Sequence, residues 1–143
     1  MSRKRKVVVV LLGLLTVALA FGYAQFEVAS RSIRFDLRLI GESVYEAHAR
    51  KGQWPTCLED LAETRYLKLP YRKAMLQEGH YSLVWNRNLA PNPENNSHRV
   101  LAYCRYQRGP LSWFGRVWVC RGDLRVESIR LSELQRLLLL NPD

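Results

Sequence analysis

The stretch that decides the fold is Val7–Phe26, which reads VVVVLLGLLTVALAFGYAQF and contains no Asp, Glu, Lys or Arg. At about 1.5 Å of rise per residue, a helix of this length matches the roughly 30 Å hydrocarbon core of a bilayer. A basic cluster, Arg3-Lys4-Arg5-Lys6, stands directly before it. Such a cluster holds its end of the chain in the cytoplasm. The sequence therefore predicts a cytoplasmic segment 1–6, a transmembrane helix 7–26 and an exported domain 27–143.

A cleaved signal peptide is the alternative interpretation of this stretch. Ala18-Leu19-Ala20 and Gly22-Tyr23-Ala24 both offer small residues at the spacing that a signal peptidase needs. The apolar run continues past Ala20 to Phe26, however, and the residues after it keep a helical period. Both features favour a retained anchor. Under either interpretation the folded part lies across the membrane from the N-terminal cluster.

Composition predicts one small globular domain after the apolar segment. The chain has 143 residues, of which 48% are hydrophobic and 24% charged, as is ordinary for a folded protein. Its net charge is +9, of which four charges belong to the N-terminal cluster, leaving +5 for residues 27–143. Dispersed arginines can form a solvated basic face, which is the simpler interpretation, or a surface for an anionic ligand such as DNA or a polysaccharide. The residues singled out for that surface are Arg99, Arg105, Arg116 and Arg125.

A second helical pattern continues directly from the apolar segment to Arg50. Its apolar positions recur at spacings of three and four and predict one packing stripe, formed by Ile33, Leu37, Ile40, Val44 and Ala47. Gly41 is the weak point, since glycine costs about 1 kcal/mol against alanine in a helix. Gly52, followed by Pro55, predicts the end of the helix.

The rest of the chain predicts a sheet with short helices beside it. Thr56 and Glu59 have the spacing of a capping box, which predicts a short helix to about Glu63. Asn86–Ser97 is rich in Asn and Pro and predicts a loop. Alternating patterns predict antiparallel strands at Tyr81–Trp85, Arg99–Tyr106, Arg116–Cys120 and Leu124–Ile129. Turns are expected at Gly109-Pro110 and at Arg121-Gly122-Asp123, and a last helix is expected to begin at Ser132. In the second strand, Val100, Ala102, Cys104 and Tyr106 are expected on one face, and Leu101 and Tyr103 on the other. The fold class is therefore α+β, with the helical stripe covering one face of a three- to four-stranded antiparallel sheet.

The chemically reactive residues do not combine into a recognisable site. His48, His80 and His98 are scattered, no Cys/His spacing suggests a metal, and no nucleophile, base and orienting group assemble. We therefore expect no enzyme activity, no cofactor and no small-molecule substrate. Of the three cysteines, Cys104 and Cys120 fall on consecutive strands, and they can form a disulfide if the register brings their Cβ atoms within about 4.5 Å.

Three passages resemble type IV pilin-like proteins, especially the major, G-type pseudopilins of type II secretion systems. The first is the apolar helix that runs into an amphipathic one. The second is LIGESVYEAH at 39–48 followed by GQWPTCLEDL at 52–61, and the third is the hairpin Val117–Ile129 followed by Ser132-Glu133-Leu134. The resemblance implies a pilin-like fold and a structural or assembly role. It also implies a bacterial inner-membrane location with a periplasmic domain, and partners among other pilin-like subunits or secretion components.

The N-terminus departs from that family's pattern. Pilin precursors carry a Gly, then Phe, several apolar residues and a Glu where a dedicated peptidase cuts, whereas here the basic cluster runs directly into Val7 with no Glu before Glu27. The calcium loop of the G-type proteins is not recognisable either, because Asp123 alone supplies too few oxygens. The resemblance therefore extends to the fold and not to the processing signal.

Overall fold

The computed structural model describes residues 3–85, 88–105 and 115–140, with the side chains of the first helical turn left out. The described chain forms two compact units, Met1–Ser32 and Ile33–Asp143. Helix α1, Arg3–Lys51, provides the first unit and opens the second. It ends where the sequence predicts, because Gly52 takes a left-handed φ of 70° while its N–H donates to the carbonyl of His48 at 2.8 Å.

The second unit combines a four-stranded antiparallel sheet with helices. After α1 the elements are a 3₁₀ turn Leu58–Leu61, helix α2 (Pro70–Gln77), strand β1 (Tyr81–Leu83), a 3₁₀ turn Pro93–Asn96, strands β2 (Val100–Cys104), β3 (Arg116–Arg121) and β4 (Val126–Arg130), and helix α3 (Leu131–Leu140). The strands lie in the order β1-β2-β3-β4, each antiparallel to the next. This confirms the predicted α+β class. The predicted turn at Gly109-Pro110 and the end of the second strand at Tyr106 lie outside the described residues.

The amphipathic part of α1 forms the core with one face of the sheet. Leu37, Ile40, Val44 and Ala47 are buried in one cluster with Leu101, Cys104 and Cys120, and Ile33 packs against that cluster. Their spacing of three and four places them on one side of the helix. Helix α1 therefore covers this face of the sheet.

Helix α3 covers the opposite face. Val117, Val119 and Ile129 form a second buried cluster with Val100 and with Leu134 of α3. The sequence predicts only one covered face, so this second layer is an addition to the predicted architecture. Both faces of β3 are consequently apolar, which is typical of a strand buried between two layers.

The predicted alternation in the second strand is confirmed for Ala102, Cys104 and Tyr103 but wrong for Val100 and Leu101, because the register shifts between Val100 and Ala102. An irregularity of this kind places an extra residue in one strand and locally changes which face its neighbours occupy. Leu101 and Ala102 both join the core beneath α1, whereas Val100 joins the core beneath α3. Periodicity alone does not reveal such a shift.

The predicted capping box is also wrong. Cys57, not Thr56, is the N-cap residue of the 3₁₀ turn, and it has no capping side-chain hydrogen bond. The carboxylate of Asp60 instead accepts from the backbone N–H of Thr56 at 2.9 Å and from its hydroxyl at 3.3 Å. These bonds lower the pKa of Asp60, with the backbone N–H as the largest cause.

Candidate functional site

The apolar segment of α1 exposes its side chains on every side. The large apolar residues from Val7 to Tyr23 are 53 to 69% exposed, and the span contains no charged group. Helix α1 is the one helix among the described residues that is long and apolar enough to cross a membrane. A helix that is apolar all round requires an apolar environment. These properties are consistent with single-pass membrane anchoring.

The four arginines proposed as a ligand surface lie at opposite ends of the sheet. Arg99 precedes β2 and Arg125 lies in the β3–β4 turn, where the N–H of Arg121 donates to the Arg125 carbonyl. Arg105 follows β2 and Arg116 opens β3 at the other end, where the two line an open cavity of about 370 Å³. Because a strand advances about 3.3 Å per residue, some 15 Å of sheet separates the two ends. The structure does not bring these arginines together.

Two of these arginines are also engaged within the protein. Arg116 donates from Nε to the Ser128 hydroxyl at 3.0 Å and from a second nitrogen to the Ser128 carbonyl. Arg125 lies 4.0 Å from a carboxylate oxygen of both Asp123 and Glu127. Exposed pairs of this kind contribute little stability, but they reduce the charge available to a ligand.

The predicted cross-strand disulfide is not formed, and all three cysteines are free. The register places Cys120 opposite Ala102 and Cys104 opposite Tyr81 of β1, so that Cys104 and Cys120 are diagonal neighbours. The Cα atoms of diagonal neighbours lie roughly 7–8 Å apart, farther than the Cα atoms of two cysteines joined by a disulfide. Burial raises the pKa of Cys120 to about 12, which keeps this thiol protonated and unreactive.

A buried polar cluster connects α1 with α2 and β1. Asp36 accepts a hydrogen bond from the Tyr81 hydroxyl at 3.1 Å, and its other oxygen lies 3.9 Å from Nε of Arg72. Both members of the ion pair are nearly enclosed, with side chains 10% and 11% exposed. Burial raises the pKa of Tyr81 and of Tyr66, and the nearby Asp36 charge raises both further. Both phenols therefore stay protonated, and Tyr81 can act as the donor to Asp36.

The Asp36 carboxyl gives the folded unit a specific pH dependence. Burial raises its pKa, although the Tyr81 hydrogen bond and the Arg72 charge act in the opposite direction. A raised pKa means that the folded state binds the proton more readily, so the free energy of unfolding falls as pH rises from about 4 through the raised pKa. Asp36→Asn accepts the same Tyr81 hydrogen bond without titrating. We expect wild type to gain stability relative to Asp36→Asn as pH falls from 7 towards 4.

Urea unfolding midpoints measured at pH 4, 5, 6 and 7 test this prediction. Glu94→Gln, at an exposed carboxyl, is the matched control for the general effect of removing a titrating group. A difference between wild type and Asp36→Asn that stays constant with pH, or that changes in the other direction, contradicts the prediction.

A second buried polar cluster joins α1, the 3₁₀ turn at Pro93–Asn96 and the β3–β4 turn. The Tyr45 hydroxyl donates to the Gly122 carbonyl at 2.7 Å and accepts from Nδ2 of Asn96 at 2.7 Å. Asn96 also donates to the Ala90 carbonyl and accepts from the Ala90 N–H. Asn96 is only 2% exposed. The sequence predicts an exposed loop here and gives no signal for this buried amide.

The Gly-x-Trp-Pro passage packs against the end of α1. Trp54 stacks on the ring of His48, with ring centres 3.8 Å apart and planes 7° apart, and meets Tyr45 edge-on at 5.4 Å. Gly52 reverses the chain and so brings Trp54 back to the helix. The passage therefore has a packing role, and His48 is a stacking residue.

The described residues contain no group of three or more His, Cys, Asp or Glu side chains that could hold a metal. Comparisons with known protein families, curated proteins and solved structures find no match for this chain. The functional features that the structure supports directly are therefore the exposed apolar segment of α1 and the α+β unit that follows it.

Proposed function

We propose that this protein is a membrane-anchored, pilin-like structural or assembly protein whose N-terminus is cytoplasmic and whose folded unit is periplasmic. The observation that carries the proposal is α1 itself. One uninterrupted helix supplies both the exposed apolar segment and the buried stripe of the α+β unit. The basic cluster before Val7 supports the orientation, because such clusters remain on the cytoplasmic side.

The partners that fit the apolar segment are other membrane helices. Gly13 and Gly22 have no heavy atom within 4 Å of the position that a Cβ would occupy, and Ala18, Ala20 and Ala24 lie between or near them. Small residues let helix backbones approach closely in lipid, where packing rather than the hydrophobic effect drives association. The segment has no carboxylate of the kind that pilin-like filaments use within lipid. This supports an accessory or assembly role over that of a regular filament subunit.

The first test is the N-terminal state of the mature protein. Expressed in a bacterial host, the chain is expected in the membrane fraction, with the intact mass of residues 1–143 or of 2–143. Mass spectrometry of the fractionated protein measures this directly. A soluble product that begins after Ala20 or Ala24 contradicts the anchor.

Association is tested on the same membranes with a photo-crosslinking amino acid at Val17, in the middle of the apolar segment. The assembly role predicts adducts of discrete mass, and the same probe at the exposed residue Glu94 provides the control for random collisions. Capture of the monomer alone at Val17 contradicts the assembly role but leaves the anchor standing.

The alternative role, recognition of DNA or a polysaccharide through an arginine surface, has weaker support, because the four arginines are divided between two ends of the sheet.

A further inference from the structure

The second unit has an exposed surface on which aromatic and basic side chains occur together. Phe35 of α1 and Tyr71 of α2 are 57% and 55% exposed, and Leu69, directly before α2, is 42% exposed. Lys68 and Lys73, which flank Leu69 and Tyr71 in sequence, are exposed as well. We call these five residues the aromatic-basic patch. None of the three apolar side chains is needed to fill the core, so the patch is available to a partner.

Arg72 holds the patch together from beneath. Its guanidinium carbon lies 6.0 Å from the centre of the Phe35 ring, 5.6 Å from that of Tyr71 and 5.1 Å from that of the buried Tyr66. Its Nε donates to the Tyr71 hydroxyl at 3.1 Å and lies 3.9 Å from Asp36. A planar cation packed against several rings fixes their relative positions. The exposed rings are therefore ordered before any partner arrives.

The segment of chain that carries most of the patch is basic. Residues 64–77 contain four cations, Arg65, Lys68, Arg72 and Lys73, and no acidic residue. Two carboxylates approach these cations: the exposed Glu59 interacts electrostatically with Lys73, and the buried Asp36 pairs with Arg72. An anionic partner is favoured at such a surface, and a second copy of the same patch is disfavoured because like charges would meet.

We propose that the aromatic-basic patch binds the anionic lipid headgroups of the membrane in which the protein is anchored. Aromatic side chains are enriched at the membrane–water interface, where an apolar ring and a polar edge are both satisfied. Lysines extend their charged ends towards anionic headgroups while their stems cover apolar surface. Phe35 follows Phe26, the last residue of the apolar segment, by nine residues. Even a fully extended chain of that length spans only about 30 Å, so Phe35 lies no farther than this from the end of the apolar segment.

This inference rests on the proposed anchor, and the experiment distinguishes the two. The full chain with Cys57→Ser, which removes the exposed thiol, is placed in nanodiscs that contain phosphatidylglycerol. A nitroxide label is attached at Leu69→Cys, which leaves Phe35, Tyr71 and Arg72 in place. The matched control carries the label at Glu94→Cys, an exposed position in the 3₁₀ turn Pro93–Asn96. Retention of the chain on the discs reports the anchor, and collisions of the label with oxygen and with a water-soluble nickel complex report the patch.

At position 69 we expect more collisions with oxygen and fewer with nickel than at position 94. The difference is expected to disappear in the Lys68→Glu/Lys73→Glu variant and to shrink in discs of phosphatidylcholine alone. Equal accessibility at both positions on discs that retain the protein overturns the proposal while the anchor stands. Shielding of position 69 from both reagents also overturns it, because that result indicates a protein contact. A difference that survives charge reversal excludes recognition of the anionic headgroups.

Discussion

Replacing Gly122 by alanine is expected to lower the free energy of unfolding of the α+β unit by about 3 kcal/mol. A Cβ at this position would lie 2.4 Å from the backbone oxygen of Asn96 and 2.4 Å from its Cβ. Backbone atoms cannot rotate away as the end of a side chain can, so the turn and the loop must separate. The same movement would weaken the bonds that the Gly122 carbonyl accepts from Tyr45 and that the Gly122 N–H donates to the Arg99 carbonyl at 3.0 Å.

Urea unfolding of the detergent-solubilised chain, followed by tryptophan fluorescence, measures this effect. Gly41→Ala is the matched comparison, since glycine is again replaced by alanine at a close contact. There the added Cβ would lie 2.7 Å from the Cys120 sulfur and 3.0 Å from a terminal methyl of Leu124. Side-chain ends can shift, and alanine adds helix propensity, so the loss at Gly41 is expected to be the smaller of the two. An unfolding midpoint for Gly122→Ala equal to that of wild type contradicts the close approach of Gly122 to Asn96.

The parts of the fold that follow from periodicity are predictable from the sequence. The stripe from Leu37 to Ala47 has the spacing of a buried helix face, and the strands have recognisable alternation or turns. Gly41 is visible in the sequence only as a weak helix position. The structure explains why a glycine occupies this position, because the helix there lies directly against Cys120 and Leu124.

The parts that depend on single long-range contacts are not predictable in this way. The Asp36–Arg72 pair joins residues 36 positions apart, and Asn96 reaches Tyr45 across 51 positions. Neither pair belongs to a repeating pattern. The sequence does not predict helix α2, because its eight residues are too few for a clear helical period. The sequence left the Cys104–Cys120 disulfide open, because the strand register decides whether cysteines on adjacent strands meet, and here Cys120 lies opposite Ala102.

The double substitution Leu14→Arg/Val17→Arg is expected to remove the protein from the membrane. The two positions lie one helical turn apart near the middle of the apolar segment, where both wild-type side chains are exposed. Each central arginine costs about 3 kcal/mol for insertion, so the pair reduces membrane partition by roughly four orders of magnitude. The wild-type segment carries no comparable cost, since its one central hydroxyl, on Thr16, donates within the helix to the Gly13 carbonyl at 2.8 Å.

Alkaline extraction of membranes and protease protection of the folded unit report this effect, and Leu14→Ala/Val17→Ala is the control of matched position. We expect the alanine variant to remain in the membrane pellet and the arginine variant to be lost from it. Because neither residue belongs to the buried core of the second unit, the arginine variant is expected to retain the wild-type unfolding midpoint in urea. Retention of the arginine variant in the extracted membranes would mean that lipid contact along this segment does not anchor the protein. A lowered unfolding midpoint would mean that the segment also supports the folded unit.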